Sequence, residues 1–481
     1  MPSPRALGHA LLVALARVAI SLVTLWGGFR AVSDDDYSRV VIAARFAHHP
    51  SLDPSGTSWL PLPFWLYGIP LAVFGDSLNT ARVVAVLLGA ASAVLVWMAA
   101  RALGLGERAA LGGALLAVVL RYGSWLSAAT VPEAPTAALI LVGVACLARP
   151  EVRLRAAGGV ALGAACFCRY EAWAPALVFG LLTGSEAWRA KRRELWPAAA
   201  FALLPIALWL LHGAVRHGDA FFFVARVNAY RAALGREADG WLQALWQTPF
   251  ALVRFEPELC ALLAVALGLT WQSRQWPFGP TAWRPAAALG ALLAFLVAAN
   301  ATGGAATHHA ERSLLPVFWF LALLLAGLTA WLLEQPLIWW QPALALVLAL
   351  LGSRLFRPWE VRSSFVDRED EERIGSVLRR LDARNVGLDT DDFGFFAVQA
   401  ALGDGKSWPL SEHDPRKREP PRPATSGALA ERLRAEHATW LVTTRERVAL
   451  AAPLGSVAVT TPRLSLIKLE PRALADAATS R

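Results

Sequence analysis

The stretch LLVALARVAISLVTLWGGFRAVSDDDYSRVVIAARF, residues 11–46, decides how the rest of the chain is read. From Leu11 to Phe29 it is almost wholly apolar, long enough to cross a bilayer as a helix. Asp34, Asp35 and Asp36 follow at its end. Three consecutive carboxylates at a membrane boundary repel one another, and any that is part-buried must be protonated, paired or bound to a cation. Two readings stay open on these residues alone. One is a solvated loop in which an Asp side chain N-caps the next helix. The other is an acidic active-site loop just outside the bilayer. From Tyr37 to Phe46 apolar residues recur at helical spacing with Arg on the other face, the pattern of an interfacial amphipathic helix.

Working outward, the whole chain of 481 residues is 56% hydrophobic and only 17% charged. Soluble domains carry about 25% charged residues, so this is a polytopic α-helical membrane protein. Apolar windows recur at roughly 8–30, 79–100, 107–126, 133–149, 155–168, 172–186, 196–214, 249–271, 284–300, 311–333 and 336–355, about eleven spans by length. The pair around Arg169, Tyr170 and Glu171 is short and interrupted, which predicts a broken or re-entrant pair. Residues 1–356 therefore form a transmembrane domain. Residues 357–481 have soluble composition and read as a small α/β domain. Within it, Glu371–Arg384, Phe393–Leu402 and Leu429–Glu436 read as helices. Asn385–Thr390, Thr439–Thr443, Ser456–Thr460 and Leu464–Leu469 read as strands.

The net charge of +9 comes mostly from Arg in loops. Arg101 and Arg108, then Arg149, Arg153 and Arg155, then Arg189 to Arg193, then Arg274 and Arg284, fall in alternate loops. Placing them inside puts the N-terminus in the cytoplasm and the first loop and C-terminal domain outside. Basic residues flanking spans point to lipid headgroups, and no aromatic-interleaved basic strand suggests nucleic acid. The four cysteines lie within predicted spans without CxxC spacing and read as packing residues. Gly403 to Ser407 lacks the first glycine of a P-loop and follows a predicted helix, so no nucleotide site is expected there.

The first loop continues through a turn-rich segment at 49–56 into Trp59–Gly68, a Pro-rich aromatic segment too short to span. Taken together these features resemble the GT-C superfamily of membrane glycosyltransferases, in particular the protein mannosyltransferase and aminoarabinose transferase group, family 39-like. Asp35-Asp36 ahead of the Tyr37–Phe46 helix looks like that group's acidic motif, with Asp in place of Glu. Trp59-Leu60-Pro61-Leu62 occupies the place of its second interfacial helix. Glu311-Arg312-Ser313-Leu314-Leu315-Pro316 looks like its entry to a late span, and Arg169-Tyr170-Glu171 is similar to an element of bacterial relatives.

The resemblance implies transfer of a sugar from a polyprenyl-phosphate lipid to an acceptor hydroxyl at the outer face of a bacterial inner membrane. A carboxylate must deprotonate the acceptor, and cations must hold the leaving phosphate. Asp35 is the candidate base, with Asp34 or Asp36 orienting it, orienting the acceptor or binding a metal. Arg169, Arg121 and Arg312 are candidate phosphate holders, against the alternative of snorkelling side chains. Glu133 opens a predicted span and is either a helix-dipole carboxylate or a second active-site acid. Glu171 and His308 are further substrate-contact candidates. No cofactor is called for beyond an optional divalent cation, and the acceptor is open among protein, glycan and lipid. A transporter or flippase of lipid-linked glycans is the alternative. It would call for ionisable residues near mid-bilayer and for internal repeats.

Overall fold

Apolar length and helix-breaking residues account for most of the helices. The structure, a computed structural model, describes residues 3–479 apart from 234, 236–239, 273–275, 303–309, 336–364, 404 and 415–421. The predicted span at 336–355 and His308 therefore lie outside the described residues. The chain divides into two compact units. One comprises Met1–Phe29, Ser55–Pro63 and Ala85–Val361, and the other Arg30–Pro54, Phe64–Val84 and Arg362–Arg481.

The first unit is helical. Its elements include α1 (Pro4–Trp26), and most of α4 (Leu78–Ala102), whose first turns belong to the second unit. They continue with α5 (Glu107–Val119), α6 (Arg121–Ala128), α7 (Glu133–Cys146), α8 (Val152–Cys166), α9 (Trp173–Arg189) and α10 (Trp196–His217). Then come α11 (Phe222–Ala233), α12 (Trp241–Phe255), α13 (Pro257–Gln272), α14 (Trp283–Ala301), the single turn α15 (Ala310–Ser313) and α16 (Leu315–Glu334). In the described residues of the chain, five helices are long and apolar enough to cross a membrane: Pro4–Trp26, Leu78–Ala102, Arg193–His217, Trp283–Ala301 and Leu315–Glu334.

Two predicted spans differ from the sequence reading, each for a local reason. The window 107–126 is bent by 73° between α5 and α6, because Leu120 is extended (φ −56°, ψ 129°). Two carbonyls freed at the bend find donors: Ser124 Oγ donates to Val118 O at 3.2 Å, and the buried Arg17 of α1 donates to Ala117 O at 3.2 Å. Such internal satisfaction is what a broken helix needs away from water. The window 249–271 is two helices parted at Glu256, since Pro257 disfavours the helical conformation of its predecessor, and Glu256 is extended away from it (φ −133°, ψ 62°). The sequence carried a warning. Arg254, Glu256 and Glu258 would all have lain inside that span, at a cost.

Helices α8 and α10 approach closely through Gly159 and Gly163. A Cβ at either would collide with the carbonyl of Ala198 or Phe201. This small-xxx-small spacing is how apolar helices gain packing without a hydrophobic driving force between them. The Arg-bearing loops meet at one end of the unit. Arg149 donates to Arg101 O and Ala102 O, and Glu186 pairs with Arg155, Arg192 and Arg284 at 3.0, 3.1 and 3.0 Å. The alternate loops singled out by charge thus share one end.

The second unit contains α2 (Asp35–His48), α3 (Leu62–Phe74, whose first two residues belong to the helical unit) and a sheet ordered β2-β1-β3-β5-β4. Strands β1 (Val386–Asp389), β2 (Ser407–Pro409) and β3 (Trp440–Thr444) are parallel; β4 (Gly455–Thr460) and β5 (Leu464–Leu469) complete it antiparallel. The predicted strands and helices of the tail are all present, with β2 added. One face of the sheet packs against the helices Glu369–Arg380 and Phe395–Leu402 through Ile374, Leu378, Val398 and Leu402. The opposite core joins Leu441 and Ile467 to Leu429 and Leu433 of the helix Ser426–Ala435. Successive side chains point to opposite faces of the sheet, and with both faces covered β1, β3 and β5 are buried nearly throughout.

Candidate active site

The acidic stretch belongs to the second unit, and its three carboxylates have different surroundings. Asp34 sits at the N-cap of α2 but makes no cap hydrogen bond. Its two oxygens instead accept from Arg368 Nε at 2.9 Å and Nη2 at 3.0 Å, a fork-to-fork pair. Asp36 is buried, and one carboxylate oxygen accepts from the N–H groups of Val32 and Ser33, each at 3.2 Å. The expected Asp cap is therefore replaced by a backward clamp from Asp36 onto the loop. Asp35 is half-buried at the first residue of α2, where the helix dipole favours an anion.

Around them lies a network that sequence reading missed. Tyr37 donates its hydroxyl to Glu372 at 2.7 Å. Arg82 grips both oxygens of the same carboxylate at 2.5 and 3.1 Å, and Arg30 reaches it at 3.3 Å. Burial, with the Glu372 charge beside it, holds the Tyr37 hydroxyl well above its usual pKa, so it stays a donor. Arg368 also donates to Glu371 at 3.1 Å. Burial works against its charge, but Asp34 and Glu371 more than offset this and raise its pKa. The available signal was Glu369-Asp370-Glu371-Glu372, four acids in one helical turn, three of them buried.

In the helical unit, Glu133, Arg169, Glu171 and Arg312 come together. Glu133 opens α7 and its side chain is 0% exposed. Its Oε1 accepts from Arg169 Nη1 at 2.6 Å and Arg312 Nε at 2.7 Å. Arg169, in the extended break between α8 and α9, also pairs with Glu171 and donates to Ser313 Oγ at 3.2 Å. Burial opposes the Arg169 charge, yet Glu171 and Glu133 outweigh it and its pKa is raised. Two guanidiniums held side by side by one buried carboxylate form a cationic pair suited to a phosphate.

Arg121 is placed otherwise. It faces Glu258 at 4.0 Å, beside the Tyr122 N–H that donates to the buried Glu256 at 3.0 Å. The later part of the first loop reaches the Arg169 segment. Tyr170 donates its hydroxyl to Ser58 O at 2.8 Å, and Leu62 N–H donates to Phe167 O. Leu60 is buried there with Trp209, Phe222 and Phe223.

Residues 48–212 match a family described as dolichyl-phosphate-mannose-protein mannosyltransferase. Among solved structures, ArnT from Cupriavidus metallidurans bound to undecaprenyl phosphate aligns with a TM-score of 0.63 at 16% identity, covering 96% of this chain and 98% of that one. The same protein in the apo state aligns at 0.59 with 14% identity, covering 99% and 100%. The oligosaccharyltransferase AglB from Archaeoglobus fulgidus, in complex with an inhibitory peptide and a dolichol-phosphate, aligns at 0.51 with 13% identity, covering 92% and 70%. No curated protein matches. Over nearly its whole length the chain has the fold seen in ArnT, and residues 48–212 carry the similarity to the mannosyltransferase family.

Proposed function

We propose that this protein is a glycosyltransferase that moves a sugar from a polyprenyl-phosphate donor to an acceptor hydroxyl. The observation that carries the reading is the buried Glu133 with Arg169 and Arg312, in a fold that ArnT displays with undecaprenyl phosphate bound. In this reading the acceptor oxygen attacks the anomeric carbon while the bond from that carbon to the phosphate oxygen breaks. The bonding pair leaves with the polyprenyl phosphate, and the acceptor proton passes to Asp35. Arg169 and Arg312 meet the charge that develops on the phosphate. Asp34 and Asp36 hold the loop rather than a cation.

The same reading puts the Glu186 end in the cytoplasm, because loops rich in Arg stay inside. The Glu133 end and the C-terminal domain then face the periplasm of a bacterial inner membrane. The shorter helices α7, α8, α9 and α13 and the bent α5–α6 pair join the five long ones towards the expected total of about eleven spans, some broken or tilted. Arg17 is the ionisable mid-span residue that a transporter would call for, but its Nη1 and Nη2 serve the α5–α6 bend.

The test is a transfer assay with purified protein and a panel of polyprenyl-phosphate sugars, comparing wild type with Asp35→Asn. Loss of a general base lowers the rate by about 10²–10⁴-fold, and that loss is expected here with folding retained. Near-normal turnover in Asp35→Asn would rule out its role. Lipid-linked sugar crossing vesicle membranes without any transfer would favour the transporter.

A further inference from the structure

We infer that Arg368 of the C-terminal domain is a positioning residue for the acidic loop, acting through Asp34 to fix where α2 begins. This rests on the glycosyltransferase reading, in which that loop carries the base. The geometry supplies the argument. Arg368 lies just ahead of the helix Glu369–Arg380, 334 residues from Asp34 in sequence, and meets both carboxylate oxygens. Its remaining Nη1 is anchored on Glu371, which in turn accepts from Arg463 Nη2 at 3.0 Å. Arg463 N–H donates to Asp370 at 2.8 Å, tying the brace to the segment that enters β5. The guanidinium therefore has little freedom of its own.

The residues on either side of Asp35 are held independently. Asp34 is held by Arg368, Asp36 clamps Val32 and Ser33, and Tyr37 is bonded to Glu372. A half-buried carboxylate flanked in this way has its backbone fixed from both sides. A domain merely docked by surface charge would not bring the buried Glu372 onto Tyr37 and a forked arginine onto Asp34, because desolvating such charges is costly unless each is paired. Here Asp370, Glu371 and Glu372 each have a stated partner. The C-terminal domain is thus part of the apparatus that orients the loop, since a shift of about 1 Å in a reacting group can cost about 10²-fold in rate.

The experiment uses the full chain in detergent, with Arg368→Ala, Arg368→Lys and Asp34→Asn. Hydrogen exchange at the Val32 and Ser33 amides reads the loop without needing activity. Arg368→Ala should raise exchange there by about tenfold or more while the sheet amides stay protected. In the transfer assay it should lower kcat by roughly 10–100-fold with donor KM little changed. Arg368→Lys should restore part of both, since it keeps the charge and loses the fork. Should Arg368→Ala fail to accumulate, Asp34→Asn probes the same contact from the other side, with the same expected local exchange. Unchanged exchange and kcat in both variants overturn the inference, as does loss of protection spread evenly through the C-terminal domain. If Asp35→Asn is inactive and Arg368→Ala normal, only the positioning role falls. If exchange rises as expected and Asp35→Asn turns over normally, the brace stands and the catalytic reading falls.

Discussion

Glu133 and Glu186 stand at opposite ends of the same helices, and each gathers arginines. Glu186 takes three, from α8, the loop after α9 and the start of α14, and remains 20% exposed. Glu133 takes two, from the α8–α9 break and α15, and is shut off from solvent. The charges are alike and the burial is not. A part-exposed pair gains little because water screens it. A buried carboxylate facing one buried and one half-buried cation cannot lose its charge without stranding them. One end therefore reads as a tie between basic loops, and the other as a charged constellation kept at a cost, which is where function is sought.

The largest effect should come from breaking the buried end. Glu133→Gln keeps the shape and removes the charge, leaving Arg169 and Arg312 side by side. Removing one partner of a buried pair costs about 3–5 kcal/mol, so thermal unfolding in detergent should fall clearly and transfer should be lost. A variant with wild-type melting and turnover would dissolve the contrast. Glu186→Gln should cost about 1 kcal/mol and leave transfer within about twofold. A loss as great as that of Glu133→Gln would show that both ends are equally buried in function.

The smallest effect concerns a third buried carboxylate. Burial raises the pKa of Glu371 above its ordinary 4.5, and Arg368 and Arg463 only partly oppose this. Because the folded value is the higher, the folded state binds more protons, and this contribution is full below pH 4.5 and lost as pH rises through the folded pKa. Glu371→Gln should flatten the decline in melting temperature of the C-terminal unit over that window. An unchanged slope would assign the decline to other groups.

Much of the architecture was legible because it is local. The Arg169-Tyr170-Glu171 interruption, the helix α2 and the β1, β3, β4 and β5 strands each follow from spacing within a few residues, and each is present. The charged triplet Arg254, Glu256 and Glu258 carried a break that a hydropathy window smoothed over. The short strand β2 was missed because three half-buried residues give no alternation to read. Glu133, Arg169 and Arg312 stand at span ends and Glu171 in the interruption between two of them, and the four meet. Arg121 was chosen on the same ground and pairs elsewhere, with Glu258.

By itself the sequence determined that the chain is a helical membrane protein with an α/β tail, which loops are basic, and which carboxylates and arginines sit at helix ends. These depend on composition and on periods of two and 3.6 residues. Only the tertiary structure decided who pairs with whom. Glu133 meets Arg312 across 179 residues, Asp34 meets Arg368 across 334, and Arg17 of α1 serves a bend 100 residues away. Such contacts arise when helices dock and bury charge, and the cost of leaving a buried charge unpaired selects the partner. No local pattern encodes that choice, because the same arginine at a span end is equally consistent with a lipid headgroup, a backbone carbonyl or a distant carboxylate.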